Sequence, residues 1–174
     1  MSNTTKRTSV ANKKGLAFEK MITNRLDKYK TENRCYGIKI PNDWLIRRSG
    51  AKITSAVPKA KSFLDFIVFL PNNKVVVIEA KSTATKTSFS LDYIKPHQYI
   101  TAKEIGKYCN DVYYIVLFRE LSRVFFVNAS DVEYFRQTET RKSIPLTWFE
   151  EYSIELDVRT LDFLPIVERE LEEH

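Results

Sequence analysis

The sequence predicts one α/β domain around a mixed central sheet. Two β-branched and aromatic runs, FLDFIVFL (Phe63–Leu70) and KVVVIEAK (Lys74–Lys81), flank the turn tripeptide Pro71-Asn72-Asn73. They read as a β-hairpin with both strands largely buried. A third run, VYYIVLF (Val112–Phe118), reads as another buried strand. Segments with helical spacing precede the hairpin and separate it from that third run.

In chain order, Met1–Asn12 is rich in Ser, Thr, Asn and Lys and is expected to be a flexible basic arm, residues 1–12. Residues 13–174 form the expected single domain. From Leu16 to Tyr29 the apolar positions Phe18, Met21, Ile22, Leu26 and Tyr29 follow the i, i+3, i+4 spacing of an amphipathic helix. Arg34–Lys61 has isolated apolar residues and the basic pair Arg47-Arg48, and reads as a strand followed by a protruding basic excursion, Trp44–Ala60. After the hairpin, Ser90–Lys107 is expected to be helical, with Ile94, Gln98 and Ile105 inward. Arg123–Val127 is expected to pair with Val112–Phe118 across the polar turn Arg119–Ser122. Residues 128–174 read as short helical and extended pieces, ending in an amphipathic stretch with Phe163, Leu164 and Val167.

With 174 residues, 43% hydrophobic and 13% aromatic, the chain can bury a sizeable core, which argues against disorder or a disulfide scaffold. No apolar run reaches the ~18 residues of a membrane span, so no membrane role is expected. Cys35 and Cys109 lack metal-ligand spacing and read as inert thiols, which suits a cytoplasmic protein. The net charge of +6 is unevenly spread. Residues 1–61 hold 15 Lys/Arg and 4 Asp/Glu, whereas residues 62–174 hold 13 and 18. A basic front half fits a polyanionic partner such as nucleic acid, and fits a solvated basic surface equally well.

Three ionisable residues interrupt the apolar strands. Asp65 stands third in FLDFIVFL, while Glu79 and Lys81 close KVVVIEAK. A carboxylate in such a strand pairs, holds a cation, or sits at an exposed sheet end, because uncompensated burial is costly. Alternation puts Glu79 and Lys81 on one face and Ala80 on the other. Asp65 and Glu79 lie at similar distances from the hairpin turn, so two carboxylates and an ammonium can share one small volume. That set suits phosphodiester hydrolysis. Oxygen ligands hold a hard cation such as Mg²⁺, which polarises the phosphate and acidifies water, and the lysine orients water or stabilises developing charge. The plain structural alternative is an Asp65–Lys81 or Glu79–Lys81 ion pair at the sheet edge.

With Asp65, Glu79 and Lys81 as its motif, the chain resembles the PD-(D/E)XK nuclease superfamily. It resembles most closely the RecU-type Holliday junction resolvases of Gram-positive bacteria and their phages. The stretches that carry this are Asn12-Lys13-Lys14-Gly15-Leu16-Ala17-Phe18-Glu19, Ile78-Glu79-Ala80-Lys81, Lys86-Thr87-Ser88-Phe89-Ser90-Leu91, His97-Gln98 and Arg141-Lys142-Ser143-Ile144-Pro145. The resemblance implies a restriction-endonuclease-like fold with a basic stalk at about 44–60. It also implies a homodimeric, Mg²⁺-dependent endonuclease, with Mn²⁺ able to substitute, that nicks four-way DNA junctions symmetrically in recombination and repair. A recombinase or branch-migration protein is the further partner implied. By the same resemblance Asp65, Glu79 and Gln98 hold the metal and Lys81 assists at the transition state. The family usually has Thr two residues before the motif Asp, as a further ligand, where this chain has Phe63. The excursion is also somewhat shorter than the stalk of the long bacterial members, which points to a phage or divergent version.

Glu19 reads either as support for the metal and Lys81 or as an exposed helix glutamate. His97 reads as a base, a phosphate contact, a cap or a partly buried histidine. Lys13, Lys14, Arg47, Arg48, Lys52, Lys59 and Lys61 are the candidate phosphate contacts. Trp44 is expected either to stack on an unpaired base or to pack beneath the excursion. Two rival functions remain open: a different endonuclease of the same superfamily, and a non-catalytic DNA-binding recombination protein on a nuclease fold.

Overall fold

A helix that buries one stripe of its surface opens the fold. The structure, a computed structural model, describes residues 3–41, 44–58, 64–71, 73–109 and 111–169, with the side chains of 3–14, 44–46, 53 and 56–58 excepted. Helix α1 (Asn3–Thr31) turns Phe18, Ile22, Leu26 and Tyr29 into the core and leaves Met21 on its flank. Each such apolar burial contributes about 1.5–3 kcal/mol. Ten of the residues expected in a loose arm, 3–12, lie within α1. They contain no proline, and Gly15 costs a helix only about 1 kcal/mol. The helix ends where Asn33 takes φ 56°, with Asn33 N–H bonding the Lys30 carbonyl and Arg34 N–H the Tyr29 carbonyl. That pair of bonds satisfies carbonyls the helix would otherwise orphan.

The chain then forms β1 (Tyr36–Lys39), β2 (Trp44–Ser49), β3 (Lys52–Pro58), β4 (Phe66–Phe69) and β5 (Val75–Thr83). After them come β6 (Ser88–Ser90), α2 (Pro96–Ile105), β7 (Val112–Phe118) and β8 (Arg123–Asn128). The remainder is α3 (Ala129–Thr138), β9 (Ser143–Pro145), α4 (Leu146–Tyr152), β10 (Ile154–Leu156) and α5 (Leu164–Arg169). Six strands make the central sheet in the order β1-β4-β5-β7-β8-β10. All its pairings are antiparallel except β5 with β7, so the sheet is mixed, as the sequence predicts.

Helices cover both faces. On one side α1 and α5 pack against Phe66, Val68, Val76, Ile78 and Ile115. On the other, α2, α3 and α4 bring Ala102, Val132, Phe135 and Phe149 onto Val77, Tyr114, Val116 and Phe125. A Cβ on Gly37 would stand 2.6 Å from Leu26 Cδ2, so glycine lets α1 approach β1. The C-terminal stretch buries Phe163, Leu164 and Val167 completely, and its acids meet the basic helix end through Arg34–Glu168 at 2.8 Å and Arg25–Asp162 at 4.0 Å.

Two expectations change in detail. The excursion is a β-hairpin, β2–β3, forming a sheet of its own. The helix expected over Ser90–Lys107 begins only at Pro96, after a single 3₁₀ turn (Leu91–Tyr93) capped by Ser90. Proline holds the preceding Lys95 extended, at ψ 151°, so the helix cannot start earlier. β6 pairs with β9, which joins the Lys86–Leu91 and Arg141–Pro145 blocks in space.

Candidate active site

The site arises because β4 is shorter than the strand it pairs with. β4 covers only Val75–Ile78 of β5, while β7 runs beside β5 from Val77 to Thr83. Beyond Ile78 the carboxylate of Asp65, just before β4, takes the place of a neighbouring strand: its Oδ2 accepts from Ala80 N–H at 2.9 Å. Ala80 faces the α1 core, which turns Glu79 and Lys81 toward α2.

The first turn of α2 completes the cluster. Lys95 offers no side-chain cap, and Gln98 Oε1 accepts its N–H at 2.9 Å. This back-bond turns Gln98 inward, where it is buried and its Oε1 also accepts from Lys81 Nζ at 2.9 Å. Gln98 Nε2 donates to Glu79 Oε1, which also takes Lys81 Nζ at 2.6 Å. Glu79, Lys81 and Gln98 are thus mutually bonded, with Asp65 beside them across the hairpin. In this orientation Gln98 clamps Glu79 and Lys81, and it would have to turn its amide over to present oxygen to a cation.

Burial disfavours both charges. Asp65 is pushed up to about 6, chiefly by burial and further by nearby Glu19, against the pull of the Ala80 N–H. Glu79 is pushed up to about 7 by burial and then by the charge of Asp65, with Lys81 opposing. Glu79 Oε2 is buried and has no hydrogen-bond partner among the described residues. Two oxygen-donor carboxylates that resist ionisation, one with an orphaned buried oxygen, fit a hard divalent cation. Among the described residues no group of three or more His, Cys, Asp or Glu stands placed to hold a metal.

Glu19 pairs with Lys39 of β1 at 2.6 Å, and both charges act on Asp65. Lys39 escapes the sequence reading: only the register that sets it opposite Phe66 brings it to the site. His97 is partly buried in the first turn of α2, beside Gln98. Arg47 and Arg48 on β2 and Lys52 on β3 are exposed on the separate hairpin. Lys13 and Lys14 lie in α1, their side chains outside the described set; Lys59, Lys61 and Phe63 lie outside the described residues altogether, as does the side chain of Trp44. Tyr113, Tyr114, Phe125 and Phe126 are buried in the sheet. Cys35 and Cys109 are unpaired, and burial pushes the Cys35 thiol up to about 11 and the Cys109 thiol upward as well. No described helix is long and apolar enough to cross a membrane.

A protein named Holliday junction resolvase RecU from Pediococcus pentosaceus is 30% identical over 122 residues, covering 68% of this chain and 60% of that protein. One of the same name from Shouchella clausii is 32% identical over 105 residues, covering 60% of this chain and 50% of its own length. A third, from Ureaplasma parvum, is 26% identical over 144 residues and is covered to 84%, with 83% of this chain. The chain thus spans only about half to three-fifths of the first two relatives. A solved structure, the Holliday junction resolvase Hjc of Archaeoglobus fulgidus, aligns with TM-score 0.46 and 15% identity over 82% of this chain and 92% of that one. The sequence model of the family described as Recombination protein U matches residues 13–169, and the chain belongs to that family.

Proposed function

We propose that this protein is a divalent-metal-dependent DNA endonuclease that nicks four-way junctions symmetrically, acting in recombination and repair as a homodimer in the cytoplasm. The observation that supports this best is the meeting of Asp65, Glu79, Lys81 and Gln98 at the open half of β5. Membership of a family whose named relatives are Holliday junction resolvases supplies the substrate class.

Asp65 and Glu79 are the residues that would hold Mg²⁺, with Mn²⁺ able to substitute. A bound divalent ion supplies charge neutralisation at the phosphate and a more acidic water. Lys81, held by Glu79 and Gln98, keeps its ammonium beside the same volume and stabilises the charge that grows on the phosphate oxygens. Water adds to phosphorus, the bond to the 3′ oxygen breaks, and the leaving oxygen takes a proton, giving a 5′-phosphate and a 3′-hydroxyl. The exposed Arg47, Arg48 and Lys52 give the β2–β3 hairpin a basic surface suited to phosphates near the branch point. Two subunits about a two-fold axis would set two such sites on symmetric strands.

The test is incubation of end-labelled four-way junctions and matched linear duplex with wild type and Asp65→Ala, in Mg²⁺ and in EDTA. Paired nicks in the junction that need both Mg²⁺ and Asp65 are expected. Equal cleavage of linear duplex would indicate a different endonuclease, and junction binding without any metal-dependent cut would leave a DNA-binding module.

A further inference from the structure

A second basic feature lies away from the site. Arg25 and Lys28 of α1 meet Arg159, from the turn before α5, around a notch of about 250 Å³ that Met21, Asn24, Thr160 and Leu161 complete. Arg25 is only 9% exposed. Its Nε donates to the Thr160 carbonyl, and its guanidinium lies over the Tyr29 ring, 4.9 Å from the centroid. Its ion-pair partner among the described residues, Asp162, is 4.0 Å away and is engaged by the Tyr29 hydroxyl at 2.5 Å. Lys28 reaches Glu32 only at 3.9 Å, and Arg159 makes no ion pair among the described residues. Three cations therefore line one notch, and the two carboxylates paired with them stand at the limit of ion-pair distance.

On an α-helix, Arg25 and Lys28 stand about 120° and about 180° around the axis from Glu19. Glu19 borders the candidate active site, so the notch opens on another flank of α1 and cannot hold the reacting phosphodiester. We propose that it is a second phosphate site, which takes a backbone phosphate of the DNA at a distance from the strand being cut. The proposal rests on the nuclease reading above. Buried Arg25 supplies a preformed fork, while exposed Lys28 and Arg159 close on the anion, a division of labour that suits a phosphate and reads no sequence.

The test uses the full chain carrying Lys28→Gln with Arg159→Gln, both exposed positions, and a charge-conserving companion, Lys28→Arg with Arg159→Lys. Junction affinity is measured across a salt series in EDTA, and nicking is measured at saturating junction with Mg²⁺. The neutral pair is expected to bind junction about three- to tenfold more weakly, with the salt slope reduced by about 1 to 2. Its saturated nicking rate should equal that of wild type, and the companion should restore affinity. Titration with inorganic phosphate, followed at the Thr160 and Leu161 amides, separates the sources of the anion. Shifts there with unchanged junction affinity would overturn the DNA assignment in favour of a free-phosphate site. Unchanged affinity without shifts would overturn the site itself. Failure of wild type to bind any DNA would instead remove the nuclease reading on which the site depends.

Discussion

Val75–Ile78 and Glu79–Thr83 are halves of one strand with different surroundings. The first half pairs with β4 throughout and with β7 from Val77 onward, its side chains are apolar, and Val76, Val77 and Ile78 are buried. The second half keeps β7 but loses β4, and there a carboxylate takes the Ala80 N–H while Glu79 and Lys81 stand in place of valine and isoleucine. A strand flanked on both sides has no use for charge. Where its neighbour stops, backbone donors and polar side chains can face a ligand without leaving the sheet. On the proposed function, the closed half serves stability and the open half serves the chemistry.

The largest effects should come from the open half. Glu79→Ala and Asp65→Ala are expected to reduce junction nicking by about 10³-fold or more, and Lys81→Ala by about 10²–10³-fold, the scale on which a group that stabilises transition-state charge contributes. Single-turnover rates and metal-free binding assays on the same samples check that affinity survives. The closed half should answer in stability. Ile78→Ala is expected to cost about 2–5 kcal/mol through the cavity it leaves, with the nicking rate per folded molecule unchanged. Denaturant melts together with active-site titration would separate the two. Gly37→Ala should be milder, about 1–3 kcal/mol, because Leu26 must shift to admit the new methyl.

Removing charge from the open half sharpens the contrast further. In metal-free protein the Asp65 and Glu79 carboxyls are raised to about 6 and about 7 from their ordinary 3.8 and 4.5. The folded state therefore binds these protons more tightly than the unfolded chain does. Their contribution to stability is complete below about pH 4 and is lost as pH climbs through 6 to 7. Asp65→Asn keeps an acceptor for the Ala80 N–H and removes the charge. It is expected to raise the melting midpoint in EDTA at neutral pH by about 2–4 °C, the shift that ~1 kcal/mol produces in a domain of this size. A lower midpoint would mean that the carboxylate is structural.

Much of this contrast was legible in the sequence. The β-branched and aromatic runs became β4, β5, β7 and β8 because such side chains suit a buried pleated surface, and the charged residues inside them marked the open end. What depended on distant partners was not legible. Lys39 is far from Asp65 in the chain and belongs to no local pattern that would flag it; only the β1–β4 register carries it to Phe66, the residue next to Asp65. The inward place of Gln98 was legible in the helix pattern, but its role beside Glu79 came from the family resemblance, because the back-bond that aims its amide depends on the extended Lys95 before Pro96. The early residues of α1 read as an arm because their composition is polar, and local composition does not register a helix continued from an anchored face.

The central claim, that the open half of β5 holds a divalent cation, is tested most directly by titrating Mn²⁺ into wild type, Asp65→Asn and Glu79→Gln and following free Mn²⁺ by electron paramagnetic resonance. Wild type should bind saturably, and each variant should lose about tenfold or more in affinity, as removal of one of two charged ligands implies. Equal binding by all three proteins would contradict the account and return Asp65, Glu79 and Lys81 to the role of a buried ion-pair network.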